Sequence, residues 1–239
     1  ANVRYMQERH GTDIHDMLER AAREHGLAYD VPYKTPSFFE QPLVGHTIVQ
    51  LTHMYGCDGT SADDLTRAIV EGRQQVQDGV RVMQHVPELA GVDLVSTAAQ
   101  LGVRETRHIE GRYRLQEEDL LSGRRFEDGI CVVRFNIDIH AVRPAAGTGT
   151  IHIEGGKVEP YHIPYRALLP VNREHLLMAG RCISGSSVAH ASYRVTGDCV
   201  AMGQAAGTAA ALAVQQGVAP SQLDPAVLVQ QLKADGVKL

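Results

Sequence analysis

Residues 198–217, DCVAMGQAAGTAAALAVQQG, carry a helical pattern dominated by Gly, Ala and small polar side chains. Gly217 supplies a stop and Pro220 lies just beyond it. Gly203 and Gly207 are four apart and share a face. Ala206, Ala210 and Ala213 widen that face into a flat strip. A surface helix has no need of such smallness, and a core helix normally carries Leu and Ile. The pattern therefore requires something to come close, because Gly has no side chain to obstruct it. Tight packing against a neighbouring strand and a flat ligand at the helix start both satisfy it.

The rest of the chain supplies the surroundings. TDIHDMLERAAREHG predicts a helix capped by Thr12 or Asp13, striped by Ile14, Leu18, Ala21 and Ala22, and ended by Gly26. YDVPYKTPSFFEQP reads as irregular, and GHTIVQLTHMYG as a strand. Residues 61–87 read as a long helix. Ser61 and Asp64 resemble a capping box, Leu65, Ile69, Val76, Val80 and Met83 form the stripe, and Pro87 is the stop. DLVSTAAQLGVRETRHIEG suggests two strands and EEDLLSGRRF a short helix. GICVVRFNIDIHAV is strand-like. GTGTIHIEGGKVEPYHIPYRALLP adds two strands joined by Gly155-Gly156. HLLMAGRCIS reads as a buried strand ending in polar residues. A last helix starts at Asp224-Pro225 with Ala226, Val229 and Leu232 on its inner face. The expected class is mixed α/β, strand-rich in the middle with helices at both ends.

At 239 residues the length suits one large domain or two small ones. The net charge of −5 argues against a nucleic-acid partner. No apolar run is long enough to cross a bilayer, and the polar start ANVRYMQERHG is unlike a signal peptide. The four cysteines are far apart with no C-x-x-C, the pattern of reduced thiols in a cytoplasmic setting. No metal site is expected. His53 and Cys57 have ligand-like spacing, but the strand-like residues before them do not put both on one helical face.

YHIPYRALLP, HLLMAGRCISGSSVAHASYR and VTGDCVAMGQAAGTAAALA together resemble the C-terminal part of the FAD-dependent oxidoreductase family, within the glutathione-reductase-like flavoproteins. DGTSADDLTRAIVEGRQQ and LGVRETRHIEGRYRLQEEDLLSGRRFEDGI resemble it too. The likeness covers the chain from about residue 45. It implies a substrate domain over 1–165 and the closing segment of an FAD-binding domain over 166–239. It also implies hydride transfer from a small-molecule substrate to FAD. Gly180 and Arg181 would then approach the ribityl-phosphate side, and Met202, Gly203 and Gln204 would lie along the flavin. The dinucleotide fingerprint G-x-G-x-x-G is absent. The expectation is thus a fragment whose ADP-binding half is supplied in cis or in trans, inactive and weak for FAD alone.

Flavin oxidoreduction needs substrate positioning, a proton acceptor and positive charge for anions. His190 and Arg194, in the polar stretch before the small helix, are the first candidates. His140 is next, paired through the strand period with Asp138. Arg104 and Arg107 sit three apart in GVRETR, so only one of them can face a site. Tyr165 and Arg166 alternate in IPYR. Two other readings stay open: a folded, non-catalytic fragment without cofactor that perhaps pairs as a homodimer, and a carbohydrate-acting protein. The low aromatic content of 5% with no Trp weighs against the latter. SGSS lacks the G-x-S-x-G elbow of a serine hydrolase.

Overall fold

The computed structural model describes residues 8–11, 13–29, 36–140, 150–151 and 157–239. By its contacts the chain forms two compact units, one of residues 1–102 with 140–150, the other of 103–139 with 151–239. The class is mixed α and β, with small two-stranded sheets rather than one large one.

In the first unit, α1 (Ile14–His25) is capped by the Asp13 carboxylate, which accepts the Asp16 N–H at 2.9 Å, and is closed by left-handed Gly26. Its buried residues include the expected Ile14, Leu18, Ala21 and Ala22. Strands β1 (Ser37–Glu40) and β2 (Thr47–Gln50) form an antiparallel hairpin, pairing Phe38 with Val49 and Phe39 with Ile48. This corrects the irregular reading of Ser37–Glu40: cross-strand apolar pairs stabilise a ribbon that the prolines upstream obscure. α2 (Ala62–Met83) begins at the Ser61 cap, as expected. Its buried face is Ala68, Gly72, Gln75, Gly79, Val82 and Met83. The larger Leu65, Ile69, Val76 and Val80 are only half-buried, so the inner face lies one position away from the apolar stripe. The segment 51–54 occupies that face. A Cβ on Gly72 would meet Met54 Sδ at 3.1 Å, and one on Gly79 would collide with Leu51. Buried Gln75 fixes the segment by accepting the His53 N–H at 2.9 Å and donating to the His53 carbonyl at 3.1 Å. Ile14, Leu18, Leu51, Val82, Val86 and Leu89 make the core.

The second unit is built on an antiparallel pair, β3 (Gly129–Val133) with β6 (Tyr161–Pro164), with a register shift between Gly129 and Cys131. Helix α3 (Glu117–Leu121) precedes it. α4 (Ser187–Tyr193), α5 (Thr196–Gln216) and α6 (Pro225–Ala234) complete the unit. Gly217 ends α5 with φ 66°, and the Asp224 carboxylate caps α6 ahead of Pro225. The inner residues of α6 are Leu228 and Leu232, while Ala226 is exposed. One core holds Leu115, Val133, Tyr161, Tyr193, Met202 and Leu228, so it runs across the boundary expected near residue 165. Short ribbon β4 (Ile139–His140) with β5 (Thr150–Ile151) lies where the chain passes from this unit to the other and back.

Two strand expectations fail. Residues 93–110 and 175–179 carry no strand. Both segments are extended, but they make single hydrogen bonds instead of a ladder: Ile109 N–H to the Cys182 carbonyl and Met178 N–H to the Leu168 carbonyl, each 3.0 Å. Leu176 is exposed, so HLLMAG is covered on one side only. The expected Gly155-Gly156 connection lies outside the described residues.

Candidate functional site

α4 places the site. The Ser186 hydroxyl accepts the Ala189 N–H at 3.1 Å and starts the helix. The turn that follows buries Ala189, His190, Ala191, Ser192 and Tyr193. Tyr161 donates to the Ser192 hydroxyl at 3.0 Å, and that hydroxyl donates to the Phe135 carbonyl. The Asp138 N–H donates to the Ala191 carbonyl at 3.2 Å. These bonds hold the 135–138 segment along α4.

His190 is completely buried. Its ring lies against His108, centroids 4.8 Å apart, and meets the Tyr193 ring edge-on at 5.5 Å. Burial pushes its pKa down to about 4, although the Glu105 carboxylate pulls the other way. The imidazole is therefore neutral at pH 7. Its Nδ1 lies 3.7 Å from Glu105 Oε2, and His108 Nε2 lies 3.2 Å from Glu105 Oε1.

Asp138 sits between two guanidinium groups. Arg104 Nη1 reaches its Oδ2 at 3.1 Å and Arg194 Nη2 at 3.4 Å, with Arg194 also donating to the Asp138 carbonyl. Burial lowers the Arg194 pKa, and the Arg104 charge adds to that. The sequence reading set Asp138 beside His140; these two arginines also hold it. His140 belongs to the first unit, where its ring stacks on His53 at 5.9 Å. Tyr165 and Arg166 are structural: Tyr165 donates to the Pro220 carbonyl at 2.8 Å, and Arg166 forms a fork on buried Asp128 at 2.9 and 3.2 Å. Arg107 is exposed.

The cofactor candidates divide. Gly180 has φ 81° and is buried, and a Cβ on it would lie 3.5 Å from Cys199 Sγ. The turn at 180–182 therefore rests on the first turn of α5. Arg181, exposed, donates to the Val103 carbonyl. Gly203 and Gln204 are exposed, and nothing lies within 4 Å of where a Cβ on Gly203 or Gly207 would be. Met202 is fully buried among core side chains. It points inward because it continues the Ala205, Ala209 and Ala213 row that packs the helix to its unit.

The sequence reading passed over two groups of residues. Glu105 and His108, read as part of a strand, stand with His190, which is brought to them only by tertiary folding. Asp198, in the first turn of α5, is raised to about 6 by burial, and its Oδ2 is buried without a hydrogen-bond partner.

The sequence model of the FAD dependent oxidoreductase family matches residues 2–234. The chain belongs to that family, whose function is of the oxidoreductase type and whose cofactor is FAD. No curated protein and no solved structure matches it. Among the described residues no helix is long and apolar enough to cross a membrane.

The residues around the start of α5 fit a flat anionic group. Its N-cap, Val195, offers no side-chain acceptor, so the N–H groups of Thr196, Gly197 and Asp198 lack intrahelical partners. Gly197, Gly203 and Gly207 leave open space.

Proposed function

We propose that these 239 residues form the substrate side and the terminal cofactor segment of an FAD-dependent oxidoreductase acting on a small molecule. The diphosphate-binding half is supplied by residues outside them, in cis or in trans. The observation that carries this reading is the family match over residues 2–234 in a sequence without G-x-G-x-x-G.

Bound FAD supplies a two-electron acceptor for a hydride leaving a substrate carbon. Gly180 and Arg181 hold the ribityl-phosphate side. The free N–H groups at the start of α5 favour negative charge at the pyrimidine edge. Gly203 and Gln204 give the ring a surface without obstructing side chains. Arg194, held in place by Asp138, and Arg104 beside it orient an anionic group of the substrate. His190 is buried away from solvent and is given no contact with the substrate. His140, stacked on His53, receives no role.

Titration calorimetry of the chain with FAD tests the division of labour. Nanomolar binding is worth about 12 kcal/mol, and keeping half of the contacts leaves roughly 6, a dissociation constant of about tens of micromolar. The expected result is binding at that level or weaker. A sub-micromolar constant would mean that the whole cofactor site lies within these residues, and the proposal would be wrong.

A further inference from the structure

Glu105, His108 and His190 bring one carboxylate and two imidazoles together, with one ligand atom from each lying within 4.8 Å of the others. His108 Nδ1 is 3.2 Å from the Gly185 carbonyl oxygen. A carbonyl only accepts, so Nδ1 carries a proton, and in the neutral ring Nε2 presents its lone pair. That lone pair faces Glu105 Oε1 at 3.2 Å, acceptor against acceptor. His190 repeats the problem. Both of its ring nitrogens are buried without a hydrogen-bond partner, and Nδ1 faces Glu105 Oε2 at 3.7 Å. A fully buried imidazole with neither nitrogen satisfied is unfavourable, because both lost their water partners on burial. A cation between the three groups removes both defects at once.

We propose that Glu105, His108 and His190 form a binding site for one divalent transition-metal ion of the zinc type. Zinc bonds of roughly 2.0–2.1 Å to nitrogen and oxygen place tetrahedral ligands about 3.3 Å apart. The contacts to Glu105 are of that order, 3.2 Å from His108 to Oε1 and 3.7 Å from His190 to Oε2, and the three ligand atoms, within 4.8 Å of one another, close to it around an ion. The hydrogen bond from His108 to the Gly185 carbonyl is the outer contact that fixes the tautomer of a ligating histidine. Glu105 and His108 line a groove with Arg114, Ser184 and Ser187, and the proposal puts the fourth position on that side. The Arg114 charge favours water or an anion there over a second cation. Three protein ligands with one open position are the arrangement of a metal that takes part in binding or reaction. The site stands apart from the flavin reading and is tested without FAD.

The test is calorimetry with zinc chloride on the full chain after EDTA treatment and dialysis, repeated with Co2+ to read ligand-field absorption. The expected result is one zinc ion per chain. Glu105→Gln and His108→Ala should weaken binding about tenfold or more and alter the cobalt spectrum, with circular dichroism unchanged. His190→Asn should do the same, and because His190 is buried the two other variants decide the matter if it does not fold. Absence of stoichiometric zinc binding would overturn the proposal. Binding that survives both Glu105→Gln and His108→Ala would overturn it too, and would place the ion on other side chains.

Discussion

Helices α2 and α5 are of similar length and each carries two glycines on one face, yet the faces have different fates. On α2, Gly72 and Gly79 are covered by Met54 and Leu51, and Gln75 between them fixes the covering segment through both polar groups of His53. On α5, Gly203 and Gly207 have nothing within 4 Å, and Val200 and Val214 stand out at 66% and 82% exposure. A glycine pair four or seven apart thus specifies closeness without specifying what comes close. The helix that looks unremarkable in sequence, with its charges and ordinary apolar residues, is the one whose glycines the chain itself uses.

The comparison breaks most readily at Gly79. Gly79→Val drives two methyl groups into Leu51 and should cost about 1–3 kcal/mol in urea unfolding, with the loss confined to the transition of the first unit. An unchanged midpoint would mean that the 51–54 segment does not depend on the glycine face.

A smaller effect is expected at the buried first turn of α5. The pKa of Asp198 in the folded chain, about 6, lies above its ordinary value of 3.8. The folded state therefore holds the proton longer than the unfolded one, and stability falls as pH rises from about 4 to 6, then levels. Asp198→Asn removes that slope. The difference in unfolding free energy between wild type and variant, measured at intervals from pH 4 to 7, should favour the variant increasingly up to pH 6. A constant difference would show that the carboxyl is solvated.

The smallest change sharpens the contrast. Gly203→Ala fills open space on a helical backbone and should stabilise the isolated chain by up to about 1 kcal/mol, read as a raised thermal midpoint. In the complete flavoprotein, Gly203→Val should instead lower FAD content while helicity is kept. A destabilised isolated Gly203→Ala chain would mean that the face is already covered.

Local signals were legible where the chemistry is local. Asp13 and Gly26, Ser61, Gly217, and Asp224-Pro225 mark helix ends because caps satisfy backbone groups within a few residues. The inner face of α2 was misread because Leu65 and Ile69 outrank Ala68 and Gly72 in hydrophobicity, whereas close packing selected the smaller pair. The 175–179 segment has the composition of a strand, but a strand also needs a laddered neighbour. Arg194 and Arg104 were identified, and their common anchor, Asp138, was assigned a different partner. Glu105 and His108 join His190 only through tertiary folding, which the spacing within ETRH does not reveal.

The interleaved order of the two units has a consequence for synthesis. Among the described residues the buried core of the first unit comes from residues 14–89, so that part can close while the rest of the chain is still being made. The core of the second unit joins Leu115 and Val133 to Leu228 and Leu232 on α6. It has to wait for its last helix, and until then the core that Leu228 and Leu232 close stays open on that side. A ribosome stalled before residue 225 would therefore carry a first unit already resistant to protease and a second unit open to it, with chaperones acting on the latter.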